Sequence, residues 1–190
     1  MLPRGSIAKV YEYYFMAPQF KDEVMCALRE FFNHPDLKEG GFLKTNKKSE
    51  DFFNEWFLYD FILSNGQTVL ENFISTNPFK LEDKEMELYR KLLNNKYGVF
   101  EVIDLKIGKS ITLKDLQTDR QWIVQEYKAT FDLKKGYMLF GRVGEVGDHY
   151  ELIGADSFMV SGINERVRRY FRNKKFKLTP KEVNEVFNKF

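Results

Sequence analysis

Residues 52–63 read FFNEWFLYDFIL, and this stretch decides how the rest of the chain is interpreted. Only Asn54, Glu55 and Asp60 interrupt its run of apolar and aromatic residues. A helix that is apolar on nearly every face has to be packed between other elements rather than laid on a surface. The stretch is also shorter than the roughly 20 residues that a membrane-spanning helix needs. It therefore predicts the central helix of an N-terminal helical unit.

The amino-acid composition is typical of a folded soluble protein with an unusually aromatic core. The chain has 190 residues, enough for one or two small domains, and 43% of them are hydrophobic and 31% charged. Its 19 Phe and 10 Tyr residues can fill a core and supply a contact surface. The beginning, MLPRGSIAKVYEYYF, lacks the apolar region and cleavage site of a signal peptide, which predicts a cytoplasmic protein without membrane attachment.

Helical spacing extends on both sides of the central stretch, so residues 1–97 are predicted to form one helical unit. Ser6 is expected to cap a first helix, and Pro18 is expected to open a second. Ser49 is expected to cap the central helix, and Thr68-x-x-Glu71 has the spacing of a capping box. These signals predict a succession of short helices before any strand.

The single cysteine limits the chemistry of this unit. Cys26 has no second cysteine to pair with, which excludes an intrachain disulfide and a thiolate metal cluster. It lies at helical spacing among Val24, Leu28 and Phe31, where a buried structural thiol is expected.

From Gly98 onward the hydrophobic period changes from helical to two, which indicates strands. Short runs rich in β-branched and aromatic residues are separated by turn residues; they are VFEVIDL, SITLKDL, RQWIVQE, YMLFGRV, HYELIG and SFMV. Strands of this length and spacing predict a small antiparallel β-barrel over residues 98–161, SH3-like or OB-like. The predicted fold class is therefore α+β.

The last segment, residues 162–190, returns to a helical period and is strongly basic. It carries 9 Lys and Arg against 3 Asp and Glu, whereas residues 1–97 carry 13 against 15 and residues 98–161 carry 8 against 10. Thr179-Pro180 is expected to open the final helix. The residues predicted to bind nucleic acid or an acidic partner are Arg166, Arg168, Arg169, Tyr170, Arg172, Lys174, Lys175 and Lys177.

Three explanations of this basic segment are open. Its cations can neutralise phosphates while its aromatic rings stack on unpaired bases, or its face can dock on an acidic protein partner or on the acidic segments of the protein itself. Alternatively, Val167, Tyr170 and Phe171 pack onto the barrel and the charges are only solvated.

The sequence contains little that indicates catalysis. Of the two histidines, His34 and His149, neither has another ligand at metal-binding spacing on its own element. Gly141-x-x-Gly144-x-x-Gly147 lies among predicted strands and does not open a helix, so it does not predict a phosphate site. We therefore expect no catalytic residue, no metal and no cofactor.

Four segments follow one another along the chain: EWFLYDF at 55–61, GQTVLENFI at 66–74, YGVFEVIDLKIGKSITLKDLQTDRQWIV at 97–124 and KKGYMLFGRVGEVGDHYELIG at 134–154. Together they resemble a group of uncharacterised bacterial proteins that are often associated with a SEC-C motif, a short zinc-binding cysteine cluster. The resemblance covers residues 52–160 and implies a helical unit followed by a barrel in a bacterial cytoplasmic protein. It does not imply zinc here, because one cysteine cannot form the cluster, and it supplies no catalytic residue.

Three functions follow as hypotheses, in this order. The first is a non-enzymatic adaptor or regulatory subunit that binds a protein partner through the barrel and aromatic surface. The second is a nucleic-acid-binding accessory protein that uses the barrel and the basic helix. The third is an enzyme whose site joins distant carboxylates to His149, the histidine that follows Asp148.

Overall fold

A computed structural model describes residues 5–41, 45–154, 158–160, 165–173 and 177–187, and these residues form an α+β protein. The α-helices in the described ranges are α1 Ser6–Met16, α2 Lys21–Phe31, α3 Lys47–Tyr59, α4 Val69–Thr76, α5 Asp83–Lys91, α6 Glu165–Arg172 and α7 Pro180–Phe187. Short 3-10 helices cover Pro18–Phe20 and Ala129–Phe131. None of the helices within the described ranges is long and apolar enough to cross a membrane.

The chain divides into two compact units, and the last two helices belong to different ones. The helical unit combines residues 1–90 with 180–190 and so includes α7. The sheet unit covers residues 91–179 and so includes α6. The division predicted above, into a helical unit, a barrel and a basic helical tail with boundaries after residues 97 and 161, stays a prediction.

Helix α3 is the buried element of the helical unit, as the central stretch predicted. Its buried side chains include Phe52, Trp56, Phe57 and Leu58. The helix begins at Lys47, earlier than the apolar stretch, because the side chain of Asn46 accepts a hydrogen bond from the Ser49 amide at 2.9 Å. The prediction that Ser49 is the cap was therefore wrong, since an N-cap accepts from a residue two or three positions later.

The other two predicted caps have opposite outcomes. At α4 the capping box is confirmed, because Thr68 accepts from the Glu71 amide at 3.2 Å and Glu71 accepts from the Thr68 amide at 2.7 Å. At α1 the N-cap is Gly5 and Ser6 is already helical, so the prediction for Ser6 was wrong. Gly5 has a φ of +86°, which glycine adopts without the steric cost that a side chain adds.

Cys26 is exposed, and the prediction of a buried thiol was wrong. The buried residues of α2 are Val24, Ala27 and Phe31. In a helix of 3.6 residues per turn, those positions share one face, whereas Cys26 is turned well away from Val24.

The sheet confirms the runs of period two as strands. The strands are β1 Asn95–Lys106, β2 Ser110–Asp115, β3 Gln121–Gln125, β4 Met138–Val146, β5 His149–Leu152 and β6 Phe158–Val160. The burial of β2 and β3 alternates residue by residue, so that Leu113, Trp122 and Val124 are buried while Ile123 points outward. The alternation follows from the opposite directions of successive side chains in a strand.

The strand pairings form a circuit that returns to its first strand. β1 pairs with β2, β2 with β3, β3 with β5, β5 with β4, and β4 with β1, while β6 adds to β4. All of these pairings are antiparallel except β3 with β5, which is parallel. The prediction of an antiparallel sheet was therefore wrong at the pairing of β3 with β5. Five strands form the circuit, and strand direction cannot alternate at every pairing around an odd number of strands.

The core of the sheet unit lies inside this circuit of strands. Its buried residues come from the inward faces of the strands and from the segment before β4; they are Phe100, Val102, Ile111, Leu113, Trp122, Val124, Leu133, Leu139 and Val143. On another side of the sheet, Phe171 of α6 is buried, with its ring centroid 5.2 Å from that of Phe140. Helix α6 is therefore packed against the strands by an apolar anchor.

Candidate functional site

The outward face of β2 and β3 is polar at its edges and apolar at its centre. Ile123 is 69% exposed and lies opposite Thr112 in the register. Gln121 and Gln125, two positions to either side of Ile123, are also exposed. Lys114 lies opposite Gln121. The face thus offers an apolar contact flanked by amides and one cation.

An exposed group of apolar side chains, which we call the aromatic patch, lies at the end of this face near the turn from β1 to β2. It consists of Ile107, Tyr127 and Phe131, which are 64%, 65% and 60% exposed. The two rings meet edge to face with centroids 5.5 Å apart. A Cβ at Gly108 would lie 3.3 Å from Cε2 of Tyr127, so the rings rest on the turn.

Hydrogen bonds hold the aromatic patch in place. The Gly108 amide donates to Oγ1 of Thr130 at 2.7 Å, and that hydroxyl donates to the carbonyl oxygen of Tyr127 at 2.6 Å. The Ala129 amide donates to Oε1 of Glu126 at 3.0 Å. Thr130 is buried at 1% exposure, so these bonds lie where water competes little. Both rings are presented on a segment fixed at both ends.

Positive charge surrounds the aromatic patch in the sequence and extends over the whole unit. Lys106 and Lys109 flank the turn, and Lys128 follows Tyr127; all three are exposed. Residues 91–179 carry 17 Lys and Arg against 11 Asp and Glu, whereas the remainder of the chain carries 13 against 17. The basic character predicted for residues 162–190 therefore belongs, in the structure, mainly to the unit that contains the sheet.

The basic residues predicted from the sequence are divided between bound and exposed positions. Arg168 donates to Oε1 of Glu101 at 2.9 Å and to the carbonyl oxygen of Gly136 at 3.0 Å. Arg169 and Arg172 are exposed, as is Tyr170 at 46%. Arg168 is thus engaged in holding α6 to the sheet, while its neighbours face solvent.

The other basic residues that were predicted to bind nucleic acid or an acidic partner are Lys177, Lys174, Lys175 and Arg166. Lys177 is exposed. Lys174 and Lys175 lie outside the described residues, and so does the side chain of Arg166. The hydrogen bond and charge of Lys114 hold the pKa of Asp119, in the turn from β2 to β3, below its usual range, and the charge of Arg172 adds to this effect.

His149 is the first residue of β5 and lies between two carboxylates. Its Nδ1 is 2.9 Å from Oδ1 of Asp148, and its Nε2 is 2.7 Å from Oε1 of Glu151. The hydrogen bonds with Asp148 and Glu151 raise the pKa of His149. Both ring nitrogens are therefore within hydrogen-bonding distance of a carboxylate, and the raised pKa favours the charged form of the imidazole.

The described residues do not provide a metal centre. Among them, no three His, Cys, Asp or Glu side chains are grouped so that they could hold a metal ion. Asp104, on β1, is paired with Lys135 at 2.7 Å, and this hydrogen bond and charge hold its pKa below the usual range. Such pairs are ordinary surface contacts.

Comparison of the chain with protein-family models, curated proteins and solved structures finds no match. The resemblance to SEC-C-associated proteins therefore stays a prediction.

The sequence reasoning missed the aromatic patch. A signal was present, because Ile107 lies in a turn and both Tyr127 and Phe131 follow β3 in a polar segment, outside any strand period. Apolar residues in a turn are candidates for a contact surface, although the sequence does not tell which of them are covered.

Proposed function

We propose that the sheet unit is an OB-type barrel that binds single-stranded nucleic acid on the outward face of β2 and β3. The strand order carries this proposal. β1, β2 and β3 are consecutive antiparallel strands, and β4 returns to lie beside β1, which is the Greek-key order. OB-folds are five-stranded Greek-key barrels that bind oligonucleotides on strands 2 and 3 and on the loop between strands 1 and 2.

The side chains on this face have the chemistry that such binding requires. Single strands are bound without base readout by aromatic rings on which bases stack and by cations that follow the phosphates. Tyr127 and Phe131 present rings beside the turn from β1 to β2; Lys109 belongs to that turn, and Lys128 follows Tyr127 in the sequence. Arg169 and Arg172 of α6 are further exposed cations of the same unit.

A binding assay on the full chain tests this proposal. We would measure fluorescence anisotropy of a labelled pyrimidine single strand longer than the roughly 16 nucleotides that an OB-fold covers at most. Because phosphate neutralisation releases counterions, affinity should fall steeply as salt is raised. Failure to bind the strand at low salt would overturn the proposal.

Two kinds of variant separate stacking from charge. Tyr127→Ala and Phe131→Ala should each weaken binding by about 1–3 kcal/mol, the range for one stacked base. Lys109→Gln and Lys128→Gln should each lower the salt slope by about 1. Met16→Ala, which changes a side chain that is 81% exposed on the helical unit, is the control for the first pair. Lys38→Gln, at another exposed position of that unit, is the control for the second.

A second function, the non-enzymatic adaptor, is favoured by the apolar character of the aromatic patch. Ile107 is aliphatic and gains little from a base but much from an apolar protein surface. Under this alternative, a partner in a bacterial cytoplasm would be recovered with the tagged chain after nuclease treatment. The double variant Tyr127→Ala and Phe131→Ala would lose that partner. Recovery that depends on intact nucleic acid would instead support the first function.

A further inference from the structure

The helical unit contains a pocket of about 260 Å³. Three helices line this pocket, and each contributes side chains that lie about one turn apart on that helix. Tyr11 and Phe15 come from α1, Leu28 and the nearby Phe32 come from α2 and its C-terminal end, and Glu50 and Phe53 come from α3. Residues three or four positions apart lie on one face of a helix. Each helix therefore directs one face into the same pocket.

Four of the eight described residues that line this pocket are aromatic. Tyr11 and Phe15 stack with centroids 4.3 Å apart, and Phe32 stacks on Phe53 with centroids 5.6 Å apart. Phe15 meets Phe53 edge to face at 6.2 Å, which joins the two stacks. Stacking covers one face of each ring, and a face that stays uncovered can attract a cation that lies within about 6 Å of it.

Among the described residues that line the pocket, Glu50 is the one that carries a charge. Its Oε1 accepts a hydrogen bond from Oγ1 of Thr45 at 2.6 Å, at an exposed position. The charge of Glu50 adds to burial in raising the pKa of Tyr11, another residue of the lining. A carboxylate beside aromatic rings repels anions and favours a cation.

We propose that this pocket binds a trimethylammonium group, with Tyr11, Phe15, Phe32 and Phe53 around its methyl groups and Glu50 opposite its charge. Quaternary ammonium ions are recognised by aromatic cages through cation–π attraction. A primary ammonium is less suited, because it is compact and strongly hydrated and loses that hydration in an apolar site. This proposal does not depend on nucleic-acid binding, since every residue involved lies in the helical unit.

Calorimetric titration of the full chain with choline tests the proposal. The matched neutral compound is 3,3-dimethylbutan-1-ol, which replaces the nitrogen by carbon and keeps the shape. Choline should bind at least about fivefold more tightly than this alcohol, since only choline engages the ring faces and Glu50 electrostatically. Equal binding of both compounds would show a purely apolar pocket, and no binding of choline would show no cation site; either result overturns the proposal.

Variants of the pocket provide a second measurement. Glu50→Gln and Phe32→Leu should each weaken choline binding about fivefold, whereas Glu12→Gln, an exposed carboxylate on α1 outside the lining, should leave it unchanged. Circular dichroism should show all three variants folded like the parent. Equal affinity of Glu50→Gln and the parent would contradict the role of the carboxylate.

The same group occurs on free choline and on trimethylated lysine side chains. Titration with a short peptide that contains one trimethyllysine distinguishes these two sources. Whichever of the two ligands binds more tightly identifies the source, and both results support recognition of the trimethylammonium group. The unmethylated peptide is the control, and it should bind at least about fivefold more weakly than the methylated one.

Discussion

Arg168 of α6 donates to Glu101 of β1 at 2.9 Å, and this ion pair connects a helix to a strand 67 residues earlier in the chain. A second nitrogen of the same guanidinium donates to the carbonyl oxygen of Gly136 at 3.0 Å. Both bonds are partly buried. Arg169, the next residue, is exposed. Two adjacent arginines of one basic helix therefore have different physical roles.

Replacing these two arginines should separate stability from binding. Arg168→Gln should lower the free energy of unfolding by about 1–2 kcal/mol, because charge-assisted hydrogen bonds are lost from a partly buried site. Arg169→Gln should leave stability within about 0.5 kcal/mol, as surface substitutions usually do, while weakening binding to a single strand. Urea unfolding and fluorescence anisotropy measure the two effects. An equal loss of stability in both variants would contradict the assigned role of Arg168.

A second pair of variants tests the apolar contact that holds α6 to the sheet. Phe171 is 1% exposed and Tyr170 is 46% exposed. Phe171→Ala should destabilise the sheet unit by about 3–5 kcal/mol, since it opens a cavity against Phe140. Tyr170→Ala should have a much smaller effect on stability. Hydrogen exchange of the β4 amides should report both changes, and unchanged protection in Phe171→Ala would show that α6 is not required for the sheet.

A buried hydrogen bond in the helical unit gives a third prediction. The Tyr14 hydroxyl donates to Oδ1 of Asn72 at 2.5 Å, between side chains that are almost fully buried. Burial raises the pKa of Tyr14, so its hydroxyl remains a donor at all ordinary pH values. Tyr14→Phe should cost about 1–3 kcal/mol, because the carbonyl of Asn72 loses its donor in a dry site. Tyr13→Phe, whose hydroxyl accepts an exposed bond from Gln19, should cost much less in thermal unfolding.

His149 should make the stability of the sheet unit depend on pH. Its hydrogen bonds with Asp148 and Glu151 raise its pKa above the ordinary value of about 6.5. The contribution of His149 should therefore be complete below about pH 6.5 and be lost as the pH rises through the raised, folded-state pKa. The difference in Tm between the parent and His149→Gln should be larger at about pH 6 than at about pH 9.

The contribution of Asp148 to stability changes with pH in the opposite direction, and it does so at lower pH. The bond from His149 holds its pKa below the usual range, so its contribution is present above its unfolded-state pKa and is lost on acidification through the folded-state pKa. It is ionised throughout the range in which His149 titrates. An NMR titration of the His149 ring, in a His34→Gln background that removes the other histidine signals, would measure the raised pKa directly. A value at or below the ordinary one would contradict this prediction.

Local features of the fold could be predicted because they depend on residues a few positions apart. The alternation in SITLKD and QWIVQ indicates strands from the sequence alone, and the structure has β2 and β3 there. The spacing of Thr68 and Glu71 specifies a capping box that the structure contains. The errors at Ser6 and Ser49 are local as well, since more than one polar residue can cap a helix and the entry of the chain selects among them.

The candidate surfaces could be predicted only in part, because exposure depends on what the rest of the chain covers. Aromatic abundance indicated a contact surface, yet nothing within residues 126–132 tells that Tyr127 and Phe131 stay outside the core. Similarly, a helical stripe predicted one buried face of α2, but the choice between Cys26 and Ala27 for that face was made by packing.

The sequence by itself determined the kinds and order of the elements and the excess of cations in the segment after the strands. Those properties follow from hydrophobic period, local hydrogen bonding and charge, which need no knowledge of distant partners. Only the tertiary structure decided that β3 and β5 run parallel, that Arg168 is bound while Arg169 is exposed, and that side chains from three helices, Glu50 among them, line one pocket. The physical reason is that these relationships join residues far apart in the chain, and their geometry exists only once the chain is folded.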